Sequence, residues 1–114
     1  MAAAIPLRIL RGKTAAITGG TTGIGRAITL EYLRQGANVA VNYIDPKHAP
    51  SLLDEAAEIK RRAPQEAGEI INIAGDITDP KTGEQLVDAA VKTWGGLDIF
   101  ISNAGVFKAA EFLS

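Results

Sequence analysis

Apolar residues follow two different periods along this chain. Four short apolar runs have the length and composition of buried β-strands, and they lie at residues 13–18, 38–43, 69–74 and 97–102. Between these runs, apolar residues recur every three to four positions, as in amphipathic helices, over residues 24–35, 51–62 and 80–94. This alternation of strand and helix predicts a parallel sheet with right-handed crossovers, which is an α/β architecture.

The ends of these segments carry local signals. Gly36 follows the first helix where a left-handed cap is common, and Asp79-Pro80 supply an N-cap and a first helical residue for the third. The segment 44–50 holds two prolines, which predicts a loop without helix, and Ser51 then begins a capping-box-like helix start. The buried side of the first helix is predicted to include Ile24, Ala27, Ile28 and Leu33.

A glycine-rich turn joins the first strand to the first helix. Gly19 suits backbone angles closed to other residues, Gly23 permits close approach of a pyrophosphate, and Gly25 permits tight packing of the helix. The helix N-terminus adds unpaired N–H groups and a partial positive charge. A tight turn without a ligand is the competing interpretation, and the strand before and helix after weigh against it.

Several chemistry-bearing segments follow directly after predicted strands. They are the glycine turn at 19–25, the segment 43–45, Asp76 and the segment 103–105. In a doubly wound parallel sheet, ligands bind beyond the carboxyl ends of the strands. We therefore expect these segments to converge on one edge of the sheet.

Composition narrows the function classes. The chain has 114 residues and a formal net charge of −1, with lysine and arginine scattered, which predicts one domain or part of a larger one without a nucleic-acid-binding surface. It contains no cysteine, which excludes disulfides and cysteine-ligated metal. The first residues do not fit a signal peptide and no apolar run reaches membrane-spanning length, so we expect a soluble cytoplasmic protein without a metal site.

Four segments together are similar to the motifs of one enzyme family. Thr-Gly at 18–19, followed after three residues by Gly-Ile-Gly at 23–25, resembles the nucleotide-binding motif of the short-chain dehydrogenases/reductases. Gly-Asp-Ile-Thr at 75–78 and Gly-Leu-Asp-Ile at 96–99 resemble the family's segments after strand 3 and before strand 4. Ser-Asn-Ala-Gly at 102–105 matches the family's Asn-Asn-Ala-Gly, with serine in the first position.

The resemblance implies a fold and a function. The fold is a Rossmann-type doubly wound parallel sheet with strand order 3-2-1-4, formed by residues 13–114 after an arm at residues 1–12. The function is that of an NAD(P)(H)-dependent oxidoreductase, which interconverts a ketone and a secondary alcohol. The full-length enzyme is expected to be a homo-oligomer. The implied cofactor-binding residues are Thr18, Gly19, Thr22, Gly23, Ile24, Gly25, Asn42, Tyr43, Asp76, Ile77, Asn103, Ala104 and Gly105.

The resemblance also assigns roles within this set. The glycine turn would hold the pyrophosphate, Asp76 and Ile77 would flank the adenine, and residues 103–105 would line the cofactor. Simpler interpretations are a strand-end turn carboxylate for Asp76 and, for Asn103, a turn residue that tolerates left-handed angles. Asp98 is predicted to lie within the fourth strand and to make a structural contact.

The choice between NAD and NADP depends on the end of the second strand, where a carboxylate would bind the ribose 2′-hydroxyl and repel a 2′-phosphate. Asp45 lies twenty positions after Gly25, which argues for NAD. Counting from the end of the first helix instead puts Tyr43 at the discriminating position, in a Val-Asn-Tyr segment that resembles NADPH-using members. Against NADP, Thr22 stands at the turn position where many NADP enzymes carry an arginine or a lysine. His48 is predicted to be a solvated loop residue, the alternative being contact with a 2′-phosphate. We favour NADP(H) over NAD(H).

The family's catalytic groups have no match in a suitable context. The resemblance implies a catalytic serine and a Tyr-x-x-x-Lys pair. The tyrosines are Tyr32 and Tyr43, and although Lys47 lies four positions after Tyr43, a proline between them excludes the helix that would align both side chains. Ser102 and Ser114 are not in the family's catalytic position. We therefore expect a cofactor-binding half of such an enzyme, inactive by itself, the alternative being a non-catalytic nucleotide-binding or partner-binding chain.

Overall fold

The computed structural model describes residues 9–103. Strands and helices alternate along the chain, in the order β1 (Thr14–Ile17), α1 (Gly23–Arg34), β2 (Asn38–Tyr43), α2 (Ala49–Arg62), β3 (Ile70–Ala74), α3 (Pro80–Trp94) and β4 (Ile99–Ile101). A short 3-10 helix, Pro46–His48, precedes α2. The predicted alternation is confirmed, with β2 as predicted and the ends of the other strands within two residues of the prediction.

The four strands form one parallel sheet in the order β3-β2-β1-β4. This is the strand order that the family resemblance implied, and it makes the sheet a Rossmann-type doubly wound one. Ile17 at the end of β1 pairs in register with Val41 of β2 and Ile101 of β4. Because all strands run in the same direction, the turns that follow them meet at one edge of the sheet.

Helices cover both faces of the sheet. On one face α1 and α2 pack against the strands, and the buried cluster there is Ile17, Leu30, Leu33, Ala37, Val39, Val41, Leu52 and Ala56. On the other face α3 packs against the small side chains of the two central strands, in a cluster of Ala16, Ala40, Leu86 and Ala90. Successive residues of β1 therefore serve opposite cores, which explains why Ala15, Ala16 and Ile17 are apolar and why the strand is buried on both faces.

The buried side of α1 agrees with the prediction only in part. Leu33 is buried and Ile28 packs half-buried against the same cluster, as predicted, but Ile24 is 71 % exposed and Ala27 is exposed. The other buried residues of this helix are Gly25, Thr29 and Leu30. The reason is that α1 begins against the glycine turn, and only the side of the helix that starts with Gly25 fits there. The apolar pattern therefore pointed to the wrong side of the first turn of this helix.

The prediction of a helix-free loop at 44–50 is wrong. The Asp45 carboxylate accepts a hydrogen bond from the Lys47 N–H at 2.9 Å and caps the 3-10 helix. The helix α2 then begins at Ala49, two residues before the predicted start at Ser51. Pro50 is compatible with this early start because the first residues of a helix need no N–H partner within it.

The boundaries of α3 and β4 follow the sequence signals more closely. The Asp79 carboxylate accepts a hydrogen bond from the Lys81 N–H at 3.0 Å, and Gly95 ends α3 in a left-handed conformation with φ of 86°. Asp98 precedes β4 rather than lying within it. Its carboxylate accepts from the Thr14 N–H at 2.9 Å, which confirms the predicted structural contact. Within residues 9–103, no helix is long and apolar enough to span a membrane.

Glu58 near the end of α2 provides a pH-dependent contact. Arg61 donates two hydrogen bonds to its carboxylate and Arg62 donates one, which lowers the pKa of Glu58 from 4.5 to about 2. Because folding lowers this pKa, the stabilisation is complete above pH 4.5 and is lost as the pH falls toward 2. We expect the Glu58 carboxylate to titrate near pH 2 by NMR and Arg61→Ala to raise its midpoint toward 4.5. Arg62→Ala should raise the Glu58 midpoint less. Equal midpoints in the parent chain and in both variants would show that the two arginines do not lower the pKa of Glu58.

Candidate functional site

The glycine turn lies between β1 and α1, as predicted. Thr18 is fully buried, and Gly19 and Gly23 have left-handed backbone angles, with φ of 63° and 55°. Thr22 is the N-cap of α1 with an extended backbone, and among the described residues its side chain makes no capping hydrogen bond. The first N–H groups of α1 are therefore not capped by that side chain, which is the arrangement that an anionic ligand requires at a helix N-terminus.

Gly25 is required by the close approach of α1 to the turn. A Cβ at this position would overlap the carbonyl oxygen of Gly19 and lie 2.7 Å from the Nδ2 of Asn103. At Gly23, in contrast, an added Cβ would meet no described atom within 4 Å. Gly25 therefore serves internal packing, whereas Gly23 borders open space that a ligand could fill.

Three polar side chains hold the turn in place. The Nδ2 of Asn103 donates to the Gly19 carbonyl at 3.2 Å, and the Oδ1 of Asn42 lies 3.4 Å from the Gly19 nitrogen. The hydroxyl of Thr29, which is fully buried in α1, donates to the Gly25 carbonyl at 2.8 Å. Sequence reasoning missed Thr29, although a threonine four residues after a packing glycine is placed to bond to that glycine's carbonyl.

A cleft of about 300 Å³ opens beside the turn at the carboxyl edge of the sheet. Its lining residues are Gly19, Thr21, Thr22, Asn42, Tyr43, Ile44, Asp45, His48 and Ile77. The structure thus brings five predicted site residues together here, namely Gly19, Thr22, Asn42, Tyr43 and Ile77. Thr21 and Ile44 were missed, and their only signal was their position beside predicted residues.

The remaining predicted residues lie around this cleft in different ways. Ile24 is exposed in the first turn of α1, and Thr18 and Gly25 lie beneath the turn. Asn103 reaches the site through the Gly19 carbonyl. Ala104 and Gly105 lie outside the described residues.

Asp76 forms the turn after β3. Its Oδ1 accepts hydrogen bonds from the N–H of Thr78 at 2.9 Å and from the Thr78 hydroxyl at 2.8 Å. This is the strand-end turn that the simpler interpretation predicted. The turn places Ile77 on the wall of the cleft.

The segment after β2 places two further groups in the cleft. Asp45 and His48 line it beside the half-buried Tyr43. Lys47 lies in the 3-10 helix, where its N–H bonds to Asp45. Tyr43 is the last residue of β2, so the numerical match between Tyr43 and Lys47 does not place the two residues on one α-helix.

A groove of about 360 Å³ on the outer side of α1 and α2 is larger than the cleft but has a different character. Its lining includes Glu58, which bonds to Arg62 at 2.9 Å, and Glu55, which pairs with Arg26 at 2.5 Å. It shares no lining residue with the glycine turn. The smaller cleft, with its helix N-terminus, is therefore the candidate functional site.

Comparison with known proteins agrees with this geometry. The family model described as short chain dehydrogenase matches residues 13–114. The chain belongs to this family. An L-rhamnose-1-dehydrogenase of Scheffersomyces stipitis is 44 % identical over 105 residues, which cover 92 % of this chain and 40 % of that protein. An L-rhamnose 1-dehydrogenase (NAD(P)(+)) of a Sphingomonas species is 38 % identical over 108 residues, covering 94 % of this chain and 40 % of the relative.

Comparison with solved structures also finds a similar fold. The crystal structure of an NADH-dependent reductase complexed with NAD superposes with a TM-score of 0.68 at 34 % sequence identity, covering 83 % of this chain and 37 % of that one. This chain thus spans about two fifths of the length of the curated relatives that it matches. Membership of the family makes it an oxidoreductase homologue, and the family's cofactor is NAD(P).

Proposed function

We propose that this chain forms the dinucleotide-binding portion of an NAD(P)(H)-dependent oxidoreductase that interconverts a ketone and an alcohol. The observation that carries the proposal is the glycine turn, because its left-handed residues and the uncapped start of α1 border a cleft at the carboxyl edge of the sheet. The residues present fit a dinucleotide. Gly23 leaves open space beside the helix N-terminus, as a pyrophosphate requires.

Each wall of the cleft has a role in this proposal. The N–H groups at the start of α1 would bind the pyrophosphate, and Ile77 would pack against the adenine beside the Asp76 turn. Tyr43 and His48 would border the adenosine ribose, and residues 103–105 would line the remainder of the cofactor. When bound, the nicotinamide supplies or accepts the hydride, and this chain binds and orients it.

We propose NADP(H) as the preferred cofactor. The Oδ1 of Asp45 accepts the Lys47 N–H and caps the 3-10 helix, which leaves only the Oδ2 of this carboxylate for a ribose 2′-hydroxyl. The histidine at the same cleft is compatible with a 2′-phosphate. The names of similar proteins include both NAD and NAD(P), so titrations with NADPH and NADH on the same preparation decide this point. Tighter binding of NADH would contradict the preference.

We propose a small ketone or alcohol as the substrate of the full-length enzyme. The rhamnose dehydrogenases among the relatives make a sugar the first compound to assay. The family's catalytic serine and Tyr-x-x-x-Lys are not matched in these residues, so we expect this chain alone to bind cofactor without turnover. Hydride transfer by the 114-residue chain alone would contradict this part of the proposal.

Gly23→Val tests the assignment of the glycine turn. A side chain there would enter the space assigned to the pyrophosphate, so we expect NADPH binding to be lost in a fluorescence titration while helical circular dichroism stays near that of the parent chain. Gly95→Val is the matched control, since Gly95 is also left-handed, with φ of 86°, and an added Cβ would meet no described atom within 4 Å. Both variants carry a similar backbone cost of about 1–2 kcal/mol. Equal NADPH affinity of the two variants would overturn the assignment.

A further inference from the structure

Asn42 is a polar side chain buried in the centre of the sheet's carboxyl edge. It is 2 % exposed, next to the last residue of β2. Transferring an amide from water to a protein interior costs about 1–3 kcal/mol unless its polar atoms are bonded. The partners of this side chain therefore show what its burial accomplishes.

The Asn42 amide connects two turns that flank the cleft. Its Nδ2 donates to the Gly75 carbonyl after β3 at 2.8 Å, and its Oδ1 faces the Gly19 N–H after β1 at 3.4 Å. The orientation of the amide follows from its partners, because only this orientation places a donor on the carbonyl and an acceptor on the N–H. The backbone adds a further link, since the Asn42 carbonyl accepts from the Gly20 N–H at 3.2 Å.

We propose that Asn42 is a positioning residue that sets the separation of the two walls of the cofactor cleft. Gly19 belongs to the turn assigned to the pyrophosphate, and Gly75 precedes the Asp76–Ile77 segment assigned to the adenine. One side chain thus holds both walls before the cofactor arrives, which reduces the ordering cost of binding. This inference rests on the proposed function, because it concerns the same cleft.

Asn103 completes the restraint on Gly19 from the other side. Asn42 on β2 faces the Gly19 N–H, and Asn103 after β4 donates to the Gly19 carbonyl at 3.2 Å. The left-handed residue that begins the turn therefore has both backbone polar groups held by side chains, one from β2 and one from the segment after β4. Loss of Asn42 would release one of these restraints and the link to Gly75 together.

Asn38 provides a matched control on the same strand. It begins β2, and its Oδ1 accepts from the Glu69 N–H just before β3 at 2.9 Å. Like Asn42, it joins β2 to β3 through a side-chain hydrogen bond to the backbone, but it does so at the opposite edge of the sheet from the cleft. A purely structural role would lower stability in either variant without changing the affinity for the cofactor.

The experiment compares Asn42→Ala and Asn38→Ala in the full chain, with NADPH titration and urea unfolding on the same preparations. We expect both variants to be less stable, and only Asn42→Ala to weaken NADPH binding, roughly tenfold, which corresponds to about 1.4 kcal/mol. In an active full-length protein, Asn42→Ala should raise the KM for NADPH more than it lowers kcat. Equal loss of affinity in both variants, or unchanged affinity in Asn42→Ala, overturns the inference.

Two further measurements keep the test decisive. If Asn42→Ala does not fold, Asn42→Ser retains one hydrogen-bonding group that is too short to reach both partners, and it should also weaken binding. In the unmodified protein without cofactor, the Gly19 amide should be protected from hydrogen exchange, and free exchange there overturns the inference without any variant. Failure of the unmodified protein to bind either NADPH or NADH would instead contradict the proposed function.

Discussion

Replacement of Gly25 by alanine is expected to abolish cofactor binding and to destabilise the domain by roughly 3 kcal/mol, at the upper end of the cost of overpacking. The added Cβ would overlap the Gly19 carbonyl oxygen, a backbone atom that cannot rotate away. It would also lie 2.7 Å from the Asn103 Nδ2, which bonds to the same carbonyl. Relief of these overlaps requires either the turn or the start of α1 to move, and both are walls of the proposed pyrophosphate site.

Gly83→Ala is the control for this substitution. Gly83 also lies inside a helix, α3, but an added Cβ there would meet no described atom within 4 Å. We expect this variant to gain about 0.5–1 kcal/mol from helix propensity and to bind NADPH normally. Urea unfolding and NADPH titration measure both effects, and a Gly25→Ala protein with the parent's affinity would show that α1 does not pack on the turn as described.

Replacement of Gly68 by alanine is expected to cause a comparable loss of stability without involving the cleft. Gly68 lies before β3, and a Cβ there would overlap the carbonyl group of Ala37. The Gly68 N–H donates to the Leu33 carbonyl at 2.9 Å, so the segment cannot retreat without losing that bond. A loss of about 3 kcal/mol lowers the melting temperature of a domain of this size by more than about 10 °C.

Gly96→Ala is the control in the loop that follows α3. An added Cβ at Gly96 would meet no described atom within 4 Å, so we expect the melting temperature of this variant to stay near the parent value. At a temperature where Gly68→Ala is folded, its NADPH affinity should equal that of the parent. The close approach of Gly68 to the Ala37 carbonyl would be contradicted if the two variants melted within about 2–3 °C of each other, which corresponds to less than about 1 kcal/mol.

Much of the site could be located before the fold was known, because its signals are local. In the same way, Asp79 before a proline and Gly95 after the last helical residue predicted the two ends of α3. The glycine turn was recognisable from a strand before it and a helix after it, and parallel strands bring their carboxyl ends to one edge. Five of the predicted residues accordingly line one cleft.

The two main errors have different causes, a distant contact in α1 and a local cap after β2. The apolar residues Ile24 and Ala27 suggested the buried side of α1, but the approach of Gly25 to Gly19 turns that side toward solvent. The two prolines after β2 suggested a loop, although a proline in the first turn of α2 lacks only an N–H that the helix does not use.

The sequence by itself determined the α/β order and the position of the glycine turn, because periodicity and positive φ angles are properties of short segments. The strand order followed from the family resemblance. Only the tertiary structure showed which atoms each glycine approaches, such as the Gly19 carbonyl oxygen beside Gly25 and the Ala37 carbonyl beside Gly68. It alone showed that Asn42 joins the turns after β1 and β3. The physical reason is that these contacts join residues 23 and 33 positions apart, and the distance between such residues depends on how the strands pair rather than on any local preference of the chain.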